Sequence, residues 1–318
     1  MLTYITRRLI IAVLVIFIVS LAVFLMVRLL PGDPILMYLS QGQLQTFSEE
    51  RIEFIRHEFG LDKPLIVQYG NWVNDVLHGN LGMSLSYHEP VTSILMRRLP
   101  VTLHLGLVSF VISIALGIGL GLISALRRGK AADLVVTLVA NLGITVPIFW
   151  LGILMIYAFG LKLGWLPIFG YTSPFEDFWL NTRQVIMPIT CLAIFALGAT
   201  ARQARSSMLE VTRQDYIRTA RAKGLSERVI VMRHMLKNGL IPIVTLSGMQ
   251  FSGILGGAVL IEVVFNIPGM GRLAVDALTT LDFAVLQAVT LVMAIMVALV
   301  NLIVDISYGW FDPRIRYA

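Results

Sequence analysis

Long apolar runs separated by short polar segments dominate the chain. A bilayer core requires about 20 apolar residues in one helix, and six runs meet that length. They predict membrane-spanning helices over Leu9–Val27, Val101–Leu126, Leu134–Gly160, Val185–Ala201, Leu240–Val264 and Phe283–Ile306. Pro147 and Pro188 lie in the third and fourth runs and predict kinks there, because proline removes a backbone donor. The pattern therefore predicts an all-α integral membrane protein with six transmembrane helices.

Composition supports the membrane assignment. Of the 318 residues, 57% are hydrophobic and 14% are charged, whereas a soluble domain has about 25% charged residues. The net charge of +6 does not indicate nucleic-acid binding, because the basic residues are not interleaved with aromatic ones. The single cysteine, Cys191, excludes an intramolecular disulfide. The low charged fraction therefore predicts that lipid covers part of the surface.

Arginine and lysine are concentrated in four segments, and this distribution predicts the orientation. With the N-terminus inside, residues 1–8, 127–133, 202–238 and 307–318 would be cytoplasmic. These segments hold 16 of the 25 basic residues, and only 6 of the 19 acidic residues lie on that side with Asp305 counted there. Cytoplasmic loops carry the excess of Arg and Lys, so we predict that both termini are cytoplasmic.

The predicted spans divide the chain into three parts. Residues 1–30 form the first transmembrane helix, residues 31–100 an external helical cap loop, and residues 101–318 a membrane core of five further helices with a cytoplasmic loop at 202–238. The cap loop is too long for a simple connection. It either seals the outer mouth or receives an external protein.

Two amphipathic helices are predicted within the cap loop. A capping-box pattern at residues 46–49 precedes the first helix, and Gly60 ends it. Its apolar face consists of Ile52, Ile55 and Phe59. The second helix ends at Gly79, and its apolar face consists of Leu65, Tyr69, Trp72 and Val76.

The basic loop 202–238 predicts a helical elbow in the cytoplasm. Residues 206–223 lack glycine and proline and predict one helix that Gly224 ends, while Ser226 suits the N-cap of a second helix over Glu227–Asn238. The tip alternates small residues with Arg218, Arg221 and Lys223. Such a tip suits docking into a groove of a partner. A solvated basic helix beside anionic lipid headgroups is the alternative.

The elbow carries a family resemblance. The stretch DYIRTARAKGLS at residues 215–226 resembles the cytoplasmic EAA signature of ABC importer permeases, with Arg-Thr-Ala in place of Glu-Ala-Ala. Further matching motifs are PGDP at 31–34, GLDKP at 60–64, GNLG at 79–82, RSSM at 205–208, the segment 262–272 that begins at Glu262, and DPRIR at 312–316. Together they are similar to the first permease subunit of dipeptide and oligopeptide importers.

The resemblance implies a fold, partners and a mechanism. It implies a permease like those of type I importers that pairs with a second permease subunit as a heterodimer. Two ATP-binding subunits and an external solute-binding protein would complete the transporter of a peptide substrate. The residues implied in ATPase coupling are Arg218, Thr219, Ala220, Arg221, Ala222, Lys223, Gly224, Leu225 and Ser226. Movement of the elbow would then switch the pathway between inward- and outward-facing states.

ATP chemistry and cofactors are not expected on this chain. The nearest Walker A lookalike, at residues 124–131, lacks the first glycine and the final Ser or Thr. The five histidines are scattered, so neither a metal site nor a catalytic cluster is predicted. The chain is therefore expected to be a transport subunit and not an enzyme.

Polar residues within the spans should face protein or a pore and not lipid. Candidates for the pathway lining are Asn141, Thr145, Thr245, Ser247 and Gln250. Hydrogen bonds between helices are the alternative role for each. An ion-coupled carrier would need ionisable residues at mid-membrane and an inverted repeat, but Glu262 and Asp305 lie near span ends. The substrate class stays open among dipeptides, longer peptides, glutathione and metal–chelate complexes.

Overall fold

A computed structural model describes residues 2–29 and 62–311. That part of the chain is helical, with one isolated bridge between Met83 and Pro90. The helices are α1 Leu2–Leu29, α2 Leu65–Leu77, α3 Val91–Leu126, α4 Ala131–Thr145, α5 Ile148–Lys162, α6 Phe178–Thr212, α7 Asp215–Ala222, α8 from Glu227 to Gly239, α9 Ile241–Val264, α10 Met270–Thr279 and α11 Phe283–Phe311. Both α5 and α8 contain π-helical turns, at Ile156–Lys162 and Ile230–Met235.

Five of these helices are long and apolar enough to cross a membrane, namely α1, α3, α6, α9 and α11. The predicted third span is a bent pair in which α4 and α5 meet at 104°, with the bend at the proline that predicted a kink. Pro147 lies between them with φ −59° and ψ 130°, an extended conformation that interrupts the helix. Pro188, by contrast, lies inside α6, which continues past it.

Contacts between helix ends indicate that the bent pair is the sixth crossing. Arg8 near the start of α1 forms an ion pair with Asp305 near the end of α11, with 3.1 Å between Nη1 and Oδ2. The two described ends of the chain therefore lie on one side, which requires an even number of crossings. We call the side that carries residues 213–239 the elbow side, and the side that carries α2 and α10 the cap side.

Two helices extend well beyond the apolar runs that predicted them. Helix α3 begins ten residues before the predicted Val101 and contains 36 residues, about 54 Å at a rise of 1.5 Å per residue. Helix α6 extends past the predicted span at both ends and contains 35 residues. Hydropathy detects the part of a helix that lipid covers, about 30 Å, so the polar ends were missed.

Helices α3, α4 and α6 pack with backbone contact. A Cβ added at Gly117 or Gly121 of α3 would lie 2.5 Å from Thr200 Cβ or Ala204 Cβ of α6. Gly198 of α6 packs in the same way on the Ala140 carbonyl of α4. Small residues permit this approach between membrane helices. The three helices therefore form a tight unit.

The second predicted cap helix is present as α2. Its Tyr69 and Trp72 rings pack on Phe24 of α1, with centroids 5.4 Å and 6.0 Å from the Phe24 ring, and the Tyr69 hydroxyl lies 2.8 Å from Ser20 Oγ. The helix ends before Gly79, whose φ is +80°. The first predicted cap helix, with Ile52, Ile55 and Phe59, lies outside the described residues, as do the motifs at 31–34 and 312–316 and the first two residues of the motif at 60–64.

The buried core has two main parts along the membrane axis. One joins α3, α6 and α9, with Leu105, Leu192 and Ile254 fully buried. The other lies on the cap side and joins α3, α10 and α11 through residues such as Leu273 and Val289. Together they hold the cap-side ends of α3, α9 and α11 at fixed positions.

Candidate functional site

The predicted elbow is present on the elbow side, as helices α7 and α8. The sequence predicted one helix over residues 206–223, but α6 ends at Thr212 and α7 begins at Asp215. The turn between them returns Ile217 and Ala220 to the end of α6, where both become buried. Burial of these apolar side chains explains a break that neither glycine nor proline marks.

Gly224 ends α7 in a left-handed turn with φ +75°. The Leu225 N–H donates to the Ala220 carbonyl at 3.2 Å, and the Gly224 N–H donates to the Arg221 carbonyl at 2.9 Å. This pair of bonds is the Schellman motif, which favours glycine because a Cβ is disfavoured at positive φ. No atom lies within 4 Å of a Cβ added there. The conformation, and not the available space, therefore selects glycine.

A small apolar core anchors the elbow to the membrane helices. Ile217 and Ala220 of α7 pack with Ile230 and Met235 of α8 against the end of α6 and α3. The membrane helices contribute Ala125, Met208 and Val211. A displacement of the elbow is therefore applied directly to the ends of α3 and α6.

The structure divides the nine predicted coupling residues into two groups. Ala220 is 5% exposed and lies in the elbow core, so its side chain is not part of the exposed surface of the elbow. The exposed ones are Arg218, Thr219, Arg221, Ala222, Lys223, Gly224, Leu225 and Ser226. These eight form what we call the elbow tip, and its surface combines short side chains with three cations.

Sequence reasoning missed the role of Glu227, which joins the two elbow helices by an ion pair with Arg221. Arg221 Nε donates to Glu227 Oε1 at 2.9 Å across the glycine turn. A cavity of about 650 Å³ lies beside this pair, between the elbow and the ends of α3 and α6, and its floor includes Leu126, Met232 and Met235. The i, i+6 spacing across a predicted turn could have indicated the pair, but only the fold brings the side chains together.

The five pathway candidates are not equivalent in the structure. Asn141 and Thr145 of α4 and Thr245 of α9 are exposed on spanning helices. Arg202 Nη2 donates to Asn141 Oδ1 at 3.1 Å. Ser247 is half-buried and bonds the Val244 carbonyl of its own helix. Gln250 Oε1 lies 2.8 Å from the Thr200 hydroxyl of α6, so Gln250 serves a contact between helices.

A buried carboxylate holds the cap-side end of the core. Glu262 of α9 is fully buried, its Oε1 accepts a hydrogen bond from the Thr102 hydroxyl at 2.6 Å, and its Oε2 accepts one from the Arg272 N–H at 3.0 Å. The Met270 N–H donates to Thr102 Oγ1 at 2.8 Å. Helix α10 has no side-chain cap of its own at Gly269. Glu262 and Thr102 therefore supply its N-terminal cap from two other helices.

A second buried carboxylate, Asp282, also joins separate elements on the cap side. Asp282 precedes α11, and its Oδ1 accepts a hydrogen bond from the Val285 N–H at 3.3 Å, the bond of an N-cap residue. Its Oδ2 accepts bonds from the Ser84 hydroxyl at 2.6 Å and the Ser86 N–H at 3.1 Å. The segment before α3 is thereby attached to α11. Within the described residues, no group of three His, Cys, Asp or Glu side chains is placed to hold a metal ion.

Comparison with known proteins identifies the family. Residues 117–317 match the family described as binding-protein-dependent transport system inner membrane component, and residues 1–106 match the N-terminal domain of such membrane components. In structure, the chain is similar to a chain of the MetNI methionine ABC transporter in an inward-facing conformation, with a TM-score of 0.55 and 19% identity over 69% of this chain and 96% of that one. That likeness supports the fold alone.

Three relatives match over nearly their whole length. A Brucella abortus protein that bears the name of a peptide transport system permease is 43% identical over 316 residues, 98% of each chain. The di/tripeptide transport system permease protein DppB of Pseudomonas aeruginosa is 39% identical over 100% of this chain and 99% of its own. The glutathione transport system permease protein GsiC of Escherichia coli is 38% identical over 100% of both.

The two family models and the three relatives together cover nearly the whole chain. The chain therefore belongs to the family of inner-membrane components of binding-protein-dependent transport systems, as a multi-pass permease subunit of an ABC transporter.

Proposed function

We propose that this chain forms half of the translocation pathway of an ATP-driven peptide importer and couples to its ATPase subunits through the elbow tip. The observation that carries the coupling role is the exposure of eight of the nine signature residues on a helix pair anchored to α3 and α6. A projecting tip with short side chains suits insertion into a groove, and its cations suit an acidic rim.

The proposal includes a full set of partners and an orientation. A second permease completes the pathway, two ATP-binding subunits meet the elbow side, and a solute-binding protein docks on the cap side. The charge distribution supports this orientation, since 16 of 25 basic residues fall on the elbow side under the predicted topology. Both termini are then cytoplasmic. Asn141, Thr145 and Thr245, which are exposed on spanning helices, are proposed to face the pathway or the second permease.

Peptides are the proposed substrate class because the relatives at 43% and 39% identity bear peptide or di/tripeptide names. Glutathione is a second candidate, favoured by the 38% identity to a glutathione permease over the full length of both chains. Glutathione is itself a tripeptide, so one weakly polar pathway could accept either. The binding protein, and not the exposed polar residues of this chain, would then select between them.

Purification of the tagged chain from native membranes in mild detergent, followed by mass spectrometry, tests the proposal. We expect a second hydrophobic permease and P-loop ATPases to co-purify. Ala222→Trp adds bulk to the exposed tip and should release the ATPases while the second permease is retained. Lys237→Trp, at an exposed position at the far end of α8, adds the same bulk away from the tip and should retain both.

Two results would contradict the proposal. Undiminished recovery of ATPases with Ala222→Trp, together with normal uptake, would remove the coupling role from the tip. A chain that purifies alone and moves substrate into liposomes without ATP would instead favour an ion-coupled carrier. Uptake of labelled dipeptide, longer peptide and glutathione by the reconstituted complex then assigns the substrate.

A further inference from the structure

One carboxylate on the elbow side receives hydrogen bonds from three different parts of the chain. Asp133 of α4 accepts from Arg205 of α6 at both oxygens, with Nε 2.8 Å from Oδ1 and Nη2 2.9 Å from Oδ2. The Ser124 hydroxyl of α3 donates to Oδ1, and the Gly129 N–H of the connecting loop donates to Oδ2 at 2.9 Å. We call Asp133, Arg205 and Ser124 the α3–α4–α6 joint.

The joint is more than a surface ion pair. Asp133 is 7% exposed and Ser124 is fully buried. The two parallel bonds from one guanidinium fix the relative orientation of the carboxylate and the arginine, which a single lysine bond would not do. Asp133 also lies in the first turn of α4, where a negative charge is favourable beside the exposed N–H groups.

The joint lies directly beside the anchor of the elbow. Ser124 precedes Ala125 on α3, and Arg205 lies three residues before Met208 on α6. Ala125 and Met208 both belong to the elbow core. Any displacement of the elbow core therefore reaches the joint within about one helical turn of each membrane helix.

Helix α4 has no residue in the elbow core. The joint is thus a polar link between α4 and the helices that the elbow contacts, and it lies nearer to the elbow core than the Arg202–Asn141 bond between α6 and α4. Beyond it, α4 packs closely on α6 at Gly143 and Gly198 and carries the exposed Asn141 and Thr145. The bend of 104° into α5 follows at its end.

We propose that Asp133 and Arg205 are positioning residues for energy coupling, which transmit displacement of the elbow from α6 to α4 and so to the bent α4–α5 pair. Neither residue belongs to the elbow tip or to the pathway candidates. The inference rests on the proposed coupling function of the elbow. It extends that function from the docking surface into the membrane helices.

The test measures uptake per ATP hydrolysed by the complete transporter, reconstituted in liposomes with its ATPases and binding protein. Arg205→Lys keeps the charge and loses the paired bonds, and Asp133→Asn keeps the shape and loses the charge. In both variants we expect the ATPases to co-purify as in the wild type and ATP hydrolysis to continue. Uptake per ATP should fall about tenfold, a typical size for the loss of coupling between two sites.

A purely structural role predicts a different result. Uptake and ATP hydrolysis would then fall together, in proportion to the amount of folded transporter, and their ratio would stay at the wild-type value. That unchanged ratio in Arg205→Lys or Asp133→Asn would overturn the proposal. Arg128→Ala is the matched control, because it removes an exposed arginine from the neighbouring loop, and its ratio should equal that of the wild type.

Ser124→Ala tests the proposal independently if Arg205→Lys and Asp133→Asn do not accumulate in the membrane. It removes one donor to Asp133 and leaves the ion pair, so uptake per ATP should fall about threefold, the size of one lost hydrogen bond. A wild-type ratio in this variant would reject the joint. The coupling role of the elbow tip is tested by a different result. If the ATPases stay bound to Ala222→Trp, that role is wrong, whatever the ratios of the joint variants.

Discussion

Glu262→Ala should strongly destabilise the cap side of the permease. The change leaves the Arg272 N–H and the Thr102 hydroxyl without their partner in a fully buried site and opens a cavity at the start of α10. Unsatisfied buried groups and lost packing together cost about 3–5 kcal/mol. We expect thermal unfolding of the purified complex at a markedly lower temperature, and loss of binding-protein-stimulated uptake.

Gly269→Ala provides an independent check on the same contact. An added Cβ at Gly269 would overlap with the Glu262 carboxyl group, so this variant should lower the unfolding temperature without removing any hydrogen-bonding group. Gly256→Ala is the control, because Gly256 lies on the same helix as Glu262 and has no atom within 4 Å of an added Cβ. Wild-type thermal stability in both Glu262→Ala and Gly269→Ala would show that the α10 cap does not stabilise this side.

Ala220→Glu should detach the elbow from the membrane helices. Ala220 is 5% exposed among the apolar side chains of Ile217, Ile230 and Met208, which cannot hydrogen-bond a carboxylate. Burial of an unpaired charge is among the most destabilising single substitutions. We expect the free energy of unfolding of the elbow to fall by about 4 kcal/mol or more. We expect rapid proteolysis within residues 213–239 and loss of the ATPases, while the six crossings stay inserted.

The control for Ala220→Glu is the same substitution two residues later. Ala222 is exposed at the tip, so Ala222→Glu should leave the elbow as resistant to protease as the wild type, even where docking is weakened. Equal resistance of both glutamate variants would contradict the placement of Ala220 in the elbow core. Greater sensitivity of Ala220→Glu alone separates folding of the elbow from docking of its tip.

Apolar run length and local helix signals determined much of the architecture. The five continuous crossings, the helix α2 with its Tyr69 and Trp72 face, and the turn at Gly224 follow from residues close together in the sequence. The run length that bilayer thickness requires, the 3.6-residue period of a helix and the preference of glycine for positive φ can each be recognised in one short stretch of sequence. The charge distribution also predicts the orientation, which stays a prediction.

Local sequence signals did not predict the helix break whose position is set by contacts between distant residues. The break at Arg213 follows from burial of Ile217 and Ala220 against α6, and the same burial removes Ala220 from the exposed surface of the elbow. The bend of 104° between α4 and α5, by contrast, lies where the local signal of Pro147 predicted a kink.

The sequence by itself determined the class of the protein, its crossings and the position of its elbow. The tertiary structure alone decided which signature residues are exposed and which polar residues hold the helices together. Glu262 meets Thr102 across 160 positions and Asp133 meets Arg205 across 72. The sequence pattern around each carboxylate predicts the helix on which it lies but not its hydrogen-bond partner. The partner depends on helix packing, which brings together residues that are distant in the sequence.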